Sequence, residues 1–223
     1  MCGRYSLITE IKDLEQRFSF HGDGLPKDIR FNIAPTQNIL AITNDGFVNQ
    51  GLTMKWGLIP YWSQDMRMAS RMINARSETL EQRNAFRQPL LRKRCLILAD
   101  GFYEWTRKGN KKTPMRIKLR SGNPFGFAGL WDAWKSTDGE IVQSCTIITT
   151  EANELIAPIH NRMPAIINEE FEETWLDINN QDIKNLKRLL YPYESTDMEV
   201  YEISTLVNSP RNDSFEIIAR VNS

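Results

Sequence analysis

Apolar and polar positions change period several times along this chain, and each change predicts an element. Ile11, Leu14 and Phe18 recur at helical spacing behind Thr9, a candidate cap, and predict a short helix. Asn38 to Thr43 reads as a strand, Asn44-Asp45-Gly46 as a turn and Gly51 to Ile59 as the returning strand. Ser77 is placed to cap a helix running towards Phe86. Cys95 to Thr106 is a long apolar and aromatic run. Lys108-Gly109-Asn110 turns it into a strand over Pro114 to Leu119. Phe125 to Trp134 and Ile141 to Thr149 form another pair around Ser136-Thr137-Asp138-Gly139. Ala152 to Ile159 predicts a short helix, Met163 to Ile167 a strand, Glu169 to Leu176 and Asp182 to Leu190 two helices, and Tyr201 to Ile203 a last strand. Asn208 to Asp213 predicts a turn against the sheet.

Strands arriving in hairpin-like pairs, with helices between and after them, predict an α+β fold. Its sheet is expected to be largely antiparallel and curved or barrel-like, with flanking helices. No linker or repeat divides residues 1–223, so one domain is expected. No Gly-x-Gly-x-x-Gly or Walker loop announces a nucleotide cofactor, and none is expected.

Composition refines this picture without changing the class. A hydrophobic content of 41% and a charged content of 25% are ordinary for a globular protein. The longest apolar runs are too short to span a bilayer, and the first residues lack a basic region followed by an apolar stretch. A cytoplasmic protein is therefore expected. The cysteines, Cys2, Cys95 and Cys145, form no Cys-x-x-Cys pair, and the histidines are His21 and His160 alone. Free thiols and no metal site are expected. Lys+Arg and Asp+Glu both total 28, yet Arg67 to Arg94 holds eight basic residues against two acidic ones. A neutral protein with one basic face is compatible with a nucleic-acid partner, and equally with a solvated helix face.

Five short segments could carry chemistry. Cys2, once Met1 is removed, would present an α-amine and a thiol on one residue. The amine can condense with an aldehyde to an imine, and the thiol can then close a five-membered thiazolidine. Alternatively Cys2 is a small residue at a frayed terminus. A nearby cation such as Arg4 would favour the thiolate. Glu104, between Tyr103 and Trp105, is either a desolvated carboxyl suited to acid/base work or a strand residue alternating outward. His160, beside Arg162 and between prolines, is either a proton shuttle or a structural histidine. Asn74 could hold a substrate oxygen and Arg76 a phosphate, or the segment simply enters a helix. In Trp56-Gly57-Leu58-Ile59-Pro60-Tyr61-Trp62, Trp56 reads as core, whereas Trp62 could stack on an unpaired base.

Together, Met1-Cys2-Gly3-Arg4-Tyr5, the Trp56–Trp62 element, Asn74-Ala75-Arg76-Ser77-Glu78-Thr79, Gly101-Phe102-Tyr103-Glu104-Trp105 and His160-Asn161-Arg162-Met163-Pro164 resemble, in order, the motifs of the SRAP family. Its members are called SOS-response-associated peptidases or abasic-site processing proteins. The resemblance implies that Cys2 is the nucleophile that forms a thiazolidine with the opened deoxyribose at an abasic site. It makes Asn74 the residue that positions sugar and amine, Glu104 the general acid/base and His160 a second proton-transfer group. Arg4, Arg76 and Arg162 would contact phosphates, with Trp62, Trp105 and Thr149 as further DNA contacts. It also implies autoproteolytic removal of Met1. Elimination from the imine would give a lyase side reaction, and because the sugar must be reached without a complementary strand, a monomer acting on single-stranded DNA, including junctions with duplex, is expected. Two other readings use the same residues: a thiol peptidase acting on other proteins, and a non-covalent module for single-stranded DNA. Turnover of a peptide would mark the first; indifference to Cys2→Ala would mark the second.

Overall fold

The computed structural model describes residues 2–109 and 111–221. Along them the chain runs β1 (Tyr5–Leu7), α1 (Ile11–Phe18), β2 (Phe20–His21), β3 (Arg30–Ile33), β4 (Asn38–Asn44) and β5 (Asn49–Trp56). A 3-10 helix over Met66–Arg71 leads to β6 (Asn74–Arg76), and a second over Ser77–Gln82 leads to α2 (Asn84–Arg92). Then follow β7 (Arg94–Ala99), β8 (Gly101–Lys108), β9 (Lys111–Leu119), β10 (Phe125–Lys135) and β11 (Ile141–Glu151). The remainder holds β12 (Arg162–Pro164), β13 (Ile166–Ile167), α3 (Glu172–Leu176), α4 (Ile183–Arg188) and β14 (Met198–Glu202).

Strands β5, β4, β7, β10 and β11 pair in that order. A short parallel bridge of Cys145 with Trp56 returns β11 to β5, closing a five-stranded barrel. A second sheet, ordered β14-β9-β8-β1-β3, is antiparallel throughout. The α+β class with a largely antiparallel, barrel-like sheet is therefore what the chain adopts. Among the described residues no helix is long and apolar enough to cross a membrane. The core between the sheets is aromatic. Tyr5 of β1 meets Trp56 of β5 at 5.3 Å and Phe127 of β10 at 5.7 Å, edge to face.

Several boundaries differ from the sequence reading. The run Cys95 to Thr106 is two strands, in two sheets. Asp100, between them, is buried and accepts from Ser6 Oγ (2.8 Å) and from the Ile8 and Thr9 amides, and its carboxylate pairs with Arg116. That carboxylate binds the start of the chain to the point where the strand changes sheets. A Cβ on Gly101 would lie 2.8 Å from Arg116 Nε, so a larger residue at the crossing would shift the guanidinium that pairs with Asp100. Thr9 spends its hydroxyl on Asp100 (3.3 Å) and does not cap α1, whose N-cap is Glu10. The helix from Ser77 is interrupted at Arg83, which is extended (φ −104°, ψ 121°). Residues 152–159 form successive turns and not a helix. The strand over Met163 to Ile167 is split between β12, paired with β11, and β13, paired with β10. Strands β1, β2, β3 and β6 had no expectation attached. The turn expected over Lys108-Gly109-Asn110 includes Asn110, which lies outside the described residues; β8 and β9 pair from Lys108 with Lys111 onward.

Candidate active site

Cys2 is fully buried and belongs to the main core cluster. Its backbone is anchored by Asn74, whose Nδ2 donates to the Cys2 carbonyl at 2.8 Å. Asn74 stands at the start of β6, which runs parallel to β11 with Asn74 opposite Ile147, so the barrel fixes this anchor. The other amide atom, Oδ1, is buried and has no hydrogen-bond partner among the described residues. A buried acceptor left open costs about 1–3 kcal/mol unless a ligand or water fills it, and here it leaves an acceptor beside the residue that would carry the amine. Burial, reinforced by the Glu104 charge, pushes the Cys2 thiol up to about 12. The expected help from Arg4 is absent: its Nη1 donates to Asn32 Oδ1 (2.8 Å) and to the Val207 carbonyl (2.5 Å).

A cleft of about 480 Å³ opens one residue beyond Cys2, lined by Gly3, Arg4, Glu104, Trp105, Arg107, Lys112 and His160. Glu104 reaches it from β8. Tyr5 pairs with Phe102, and the Tyr103 amide donates to the Arg4 carbonyl at 2.9 Å, which draws the N-terminal residues alongside Glu104. The side chain is turned inward, with Glu104 only 4% exposed, and not outward to solvent. His160 comes from the connection between β11 and β12. Its Nδ1 lies 3.0 Å from the Arg162 amide nitrogen and 3.1 Å from the Arg162 carbonyl oxygen. The cleft thus unites Arg4, Glu104, Trp105 and His160, with Cys2 and Asn74 behind it.

The other candidates fall into two groups. Arg76 and Trp62 are exposed, Trp62 at 47%. Trp62 borders a groove of about 1050 Å³ that also holds Arg67, Arg71 and Arg83, part of the basic stretch. Within that stretch Lys93 and Arg94 are structural. Lys93 pairs with Asp132 at 2.6 Å, and Arg94 is buried against the Leu90 and Trp175 carbonyls. Trp105 is half-buried, its Nε1 donating to Asn208 Oδ1 at 2.8 Å. Arg162 forms a two-pronged ion pair with Glu78 (2.6 and 3.0 Å) and donates to the Thr149 carbonyl at 2.5 Å. Thr149 itself is fully buried, its hydroxyl 3.4 Å from the Ala75 carbonyl, so it presents no surface to a strand and holds Arg162 from beneath.

Two cations at the cleft, Arg107 and Lys112, were not singled out from the sequence. They are cross-strand partners in the β8–β9 hairpin, and Lys112 Nζ stands 5.4 Å over the Trp105 ring. Neither forms an ion pair among the described residues. Their mirror positions about the predicted turn were a signal that could have found them. Met1, whose removal the sequence reading expected, lies outside the described residues.

Residues 1–210 match the family model described as SOS response associated peptidase (SRAP). The chain is 49% identical over 224 residues to the abasic site processing protein YoqW of Bacillus subtilis (strain 168), covering 98% of this chain and 99% of that one. It is 34% identical to the abasic site processing protein HMCES of Gallus gallus, over 76% of this chain and 57% of that protein. The fold is similar to a crystal structure of a Bacteroides thetaiotaomicron protein, with a TM-score of 0.89 at 27% identity, covering 99% of this chain and all (100%) of that one.

Proposed function

The chain belongs to the SOS response associated peptidase (SRAP) family, and on that premise we propose that it processes abasic sites in single-stranded DNA through a covalent bond to Cys2. The observation that carries this reading is the anchoring of Cys2 by Asn74 immediately behind a cleft that holds Glu104 and His160.

The chemistry starts once Met1 is released, a hydrolysis we assign to the protein itself. An abasic sugar exists mostly as a closed hemiacetal, and proton donation to its ring oxygen by His160 favours the open aldehyde. Burial keeps the thiol protonated, so the α-amine attacks C1′ first. Protonation of the resulting hydroxyl by Glu104 or His160 expels water and leaves an imine. Sulfur then bonds to the imine carbon while its proton passes, through Glu104, to the nitrogen. The net change is one C–N and one C–S bond formed and one water lost. The open Oδ1 of Asn74 suits a hydrogen bond from the amine or a sugar hydroxyl. Elimination of the 3′ phosphate from the imine before ring closure would give the lyase side reaction.

Exposed Trp62, the Arg71 and Arg83 groove, Arg76, and the Arg107–Lys112 pair supply stacking and phosphate contacts for an unpaired strand and for a junction with duplex. Arg4 and Arg162, both engaged within the protein, position the site and reach a phosphate only at its edge. The protein acts as a monomer associated with DNA.

The test is an abasic oligonucleotide run with protein on a denaturing gel. Cys2→Ala removes the retarded band, and an uncleaved N-terminal extension, which ties the Cys2 nitrogen into a peptide bond, removes it as well. A band that survives either change defeats the assignment.

A further inference from the structure

Glu78 belongs to the Asn74–Thr79 segment yet has no part in the steps above. We propose that it is a positioning residue for His160 and acts through Arg162; this rests on the reading of His160 as the proton donor of the cleft. The Glu78 carboxylate takes both terminal nitrogens of Arg162, at 2.6 and 3.0 Å, and the Thr149 carbonyl takes a third hydrogen bond at 2.5 Å. The Arg162 side chain is only 12% exposed, so most of its charge is answered inside the protein. Burial alone would raise the Glu78 carboxyl, but the guanidinium holds it below its ordinary value, so the pair is ionised through the neutral range.

Arg162 opens β12, with Glu151 of β11 opposite it. Two residues back is His160, and the peptide of Arg162 grips its ring. In the neutral imidazole, the Arg162 N–H at 3.0 Å needs a lone pair on Nδ1, which puts the ring proton on Nε2. When the ring gains a second proton at Nδ1, the carbonyl of the same residue, 3.1 Å away, is there to accept it. One residue therefore serves both protonation states of a group that must give and regain a proton. Glu78 fixes that residue, and because it follows β6 by two positions it ties the Asn74 segment to the His160 segment. Loss of its charge leaves Arg162 without its counterion and the His160 peptide without its brace.

The experiment uses the untagged full-length chain carrying Glu78→Gln, with three readouts. The chain has two histidines, so in a His21→Asn background the imidazole nitrogen NMR signals report His160 alone. The parent shows a single neutral tautomer, protonated at Nε2, and Glu78→Gln mixes the tautomers. The cross-linking rate falls about tenfold, as expected for a displaced catalytic group, with an altered pH profile. Affinity for intact single-stranded DNA changes less than twofold. If Glu78→Gln does not fold, Arg162→Lys, which keeps the charge and loses the fork, is expected to mix the tautomers in the same way. An unchanged tautomer overturns the proposal. So does an undiminished rate together with several-fold tighter binding of intact DNA, which would make Glu78 a stand-in for a phosphate at Arg162. A parent protein that forms no adduct defeats the proposed function, while the tautomer still decides the role of Glu78.

Discussion

Glu104 is where residue-scale physics bears most directly on the reaction. A carboxylate 4% exposed, and close enough to help push the Cys2 thiol up to about 12, stands beside the group whose proton moves in the proposed reaction. Glu104→Gln keeps the shape and removes the proton acceptor. Adduct formation should slow by about 10²-fold, with binding of intact single-stranded DNA retained, as measured by quenched time courses. An unchanged rate would take Glu104 out of proton transfer. The sequence left this residue balanced between an inward and an outward orientation, because alternation along a strand fixes which residues share a face and not which face is covered. Cys2 was harder still. It is buried in the core with its carbonyl held by Asn74, contacts no local pattern encodes. Thr149, which the resemblance offered as a further DNA contact, is buried beneath Arg162, a placement set by the β6–β11 pairing and encoded in no local pattern.

Among the elements, the β8–β9 hairpin does most to shape the cleft. It carries Glu104 and Trp105 on one strand and pairs Arg107 with Lys112 near its end. If those two cations each neutralise a phosphate, the double substitution Arg107→Ala/Lys112→Ala should flatten the slope of log affinity against log salt by about 1.4, at about 0.7 per contact on a single strand. Titrations of a labelled oligonucleotide between low and moderate salt read this directly, and an unaltered slope would leave the pair without a phosphate role. The hairpin was legible from its apolar run and its turn. The crossing at Asp100 was not read, although Asp100-Gly101 interrupts the apolar run; the buried carboxylate contacts of Asp100 mark the point where the chain changes sheets. Likewise the helix expected from Ser77 towards Phe86 rested on its cap, and extended Arg83 interrupts it.

At the level of the whole molecule, the barrel and the second sheet bury all three thiols, and each is raised by that burial. A thiol whose folded value lies above its unfolded one binds more protons in the native state, so its contribution is complete below the unfolded value and is lost as pH rises towards the folded one. For Cys2 that window runs from 9.0 to about 12. The midpoint of thermal unfolding should therefore hold steady from about pH 7 to 8.5 and fall above about pH 9; a midpoint flat to about pH 11 would mean that the thiols are hydrated in the native state. The architecture was legible in the hairpin order of the strands; of the five segments singled out, those of Cys2, Asn74, Glu104 and His160 come together in the structure, while Trp62 borders a separate groove. The central claim concerns the covalent link at Cys2. Intact mass of the untagged protein after incubation with single-stranded DNA bearing one abasic site tests it directly. The account predicts the mass of the chain without Met1 plus the DNA less one water, absent in Cys2→Ala. Loss of Met1 with no adduct, or an adduct that persists in Cys2→Ala, would contradict it.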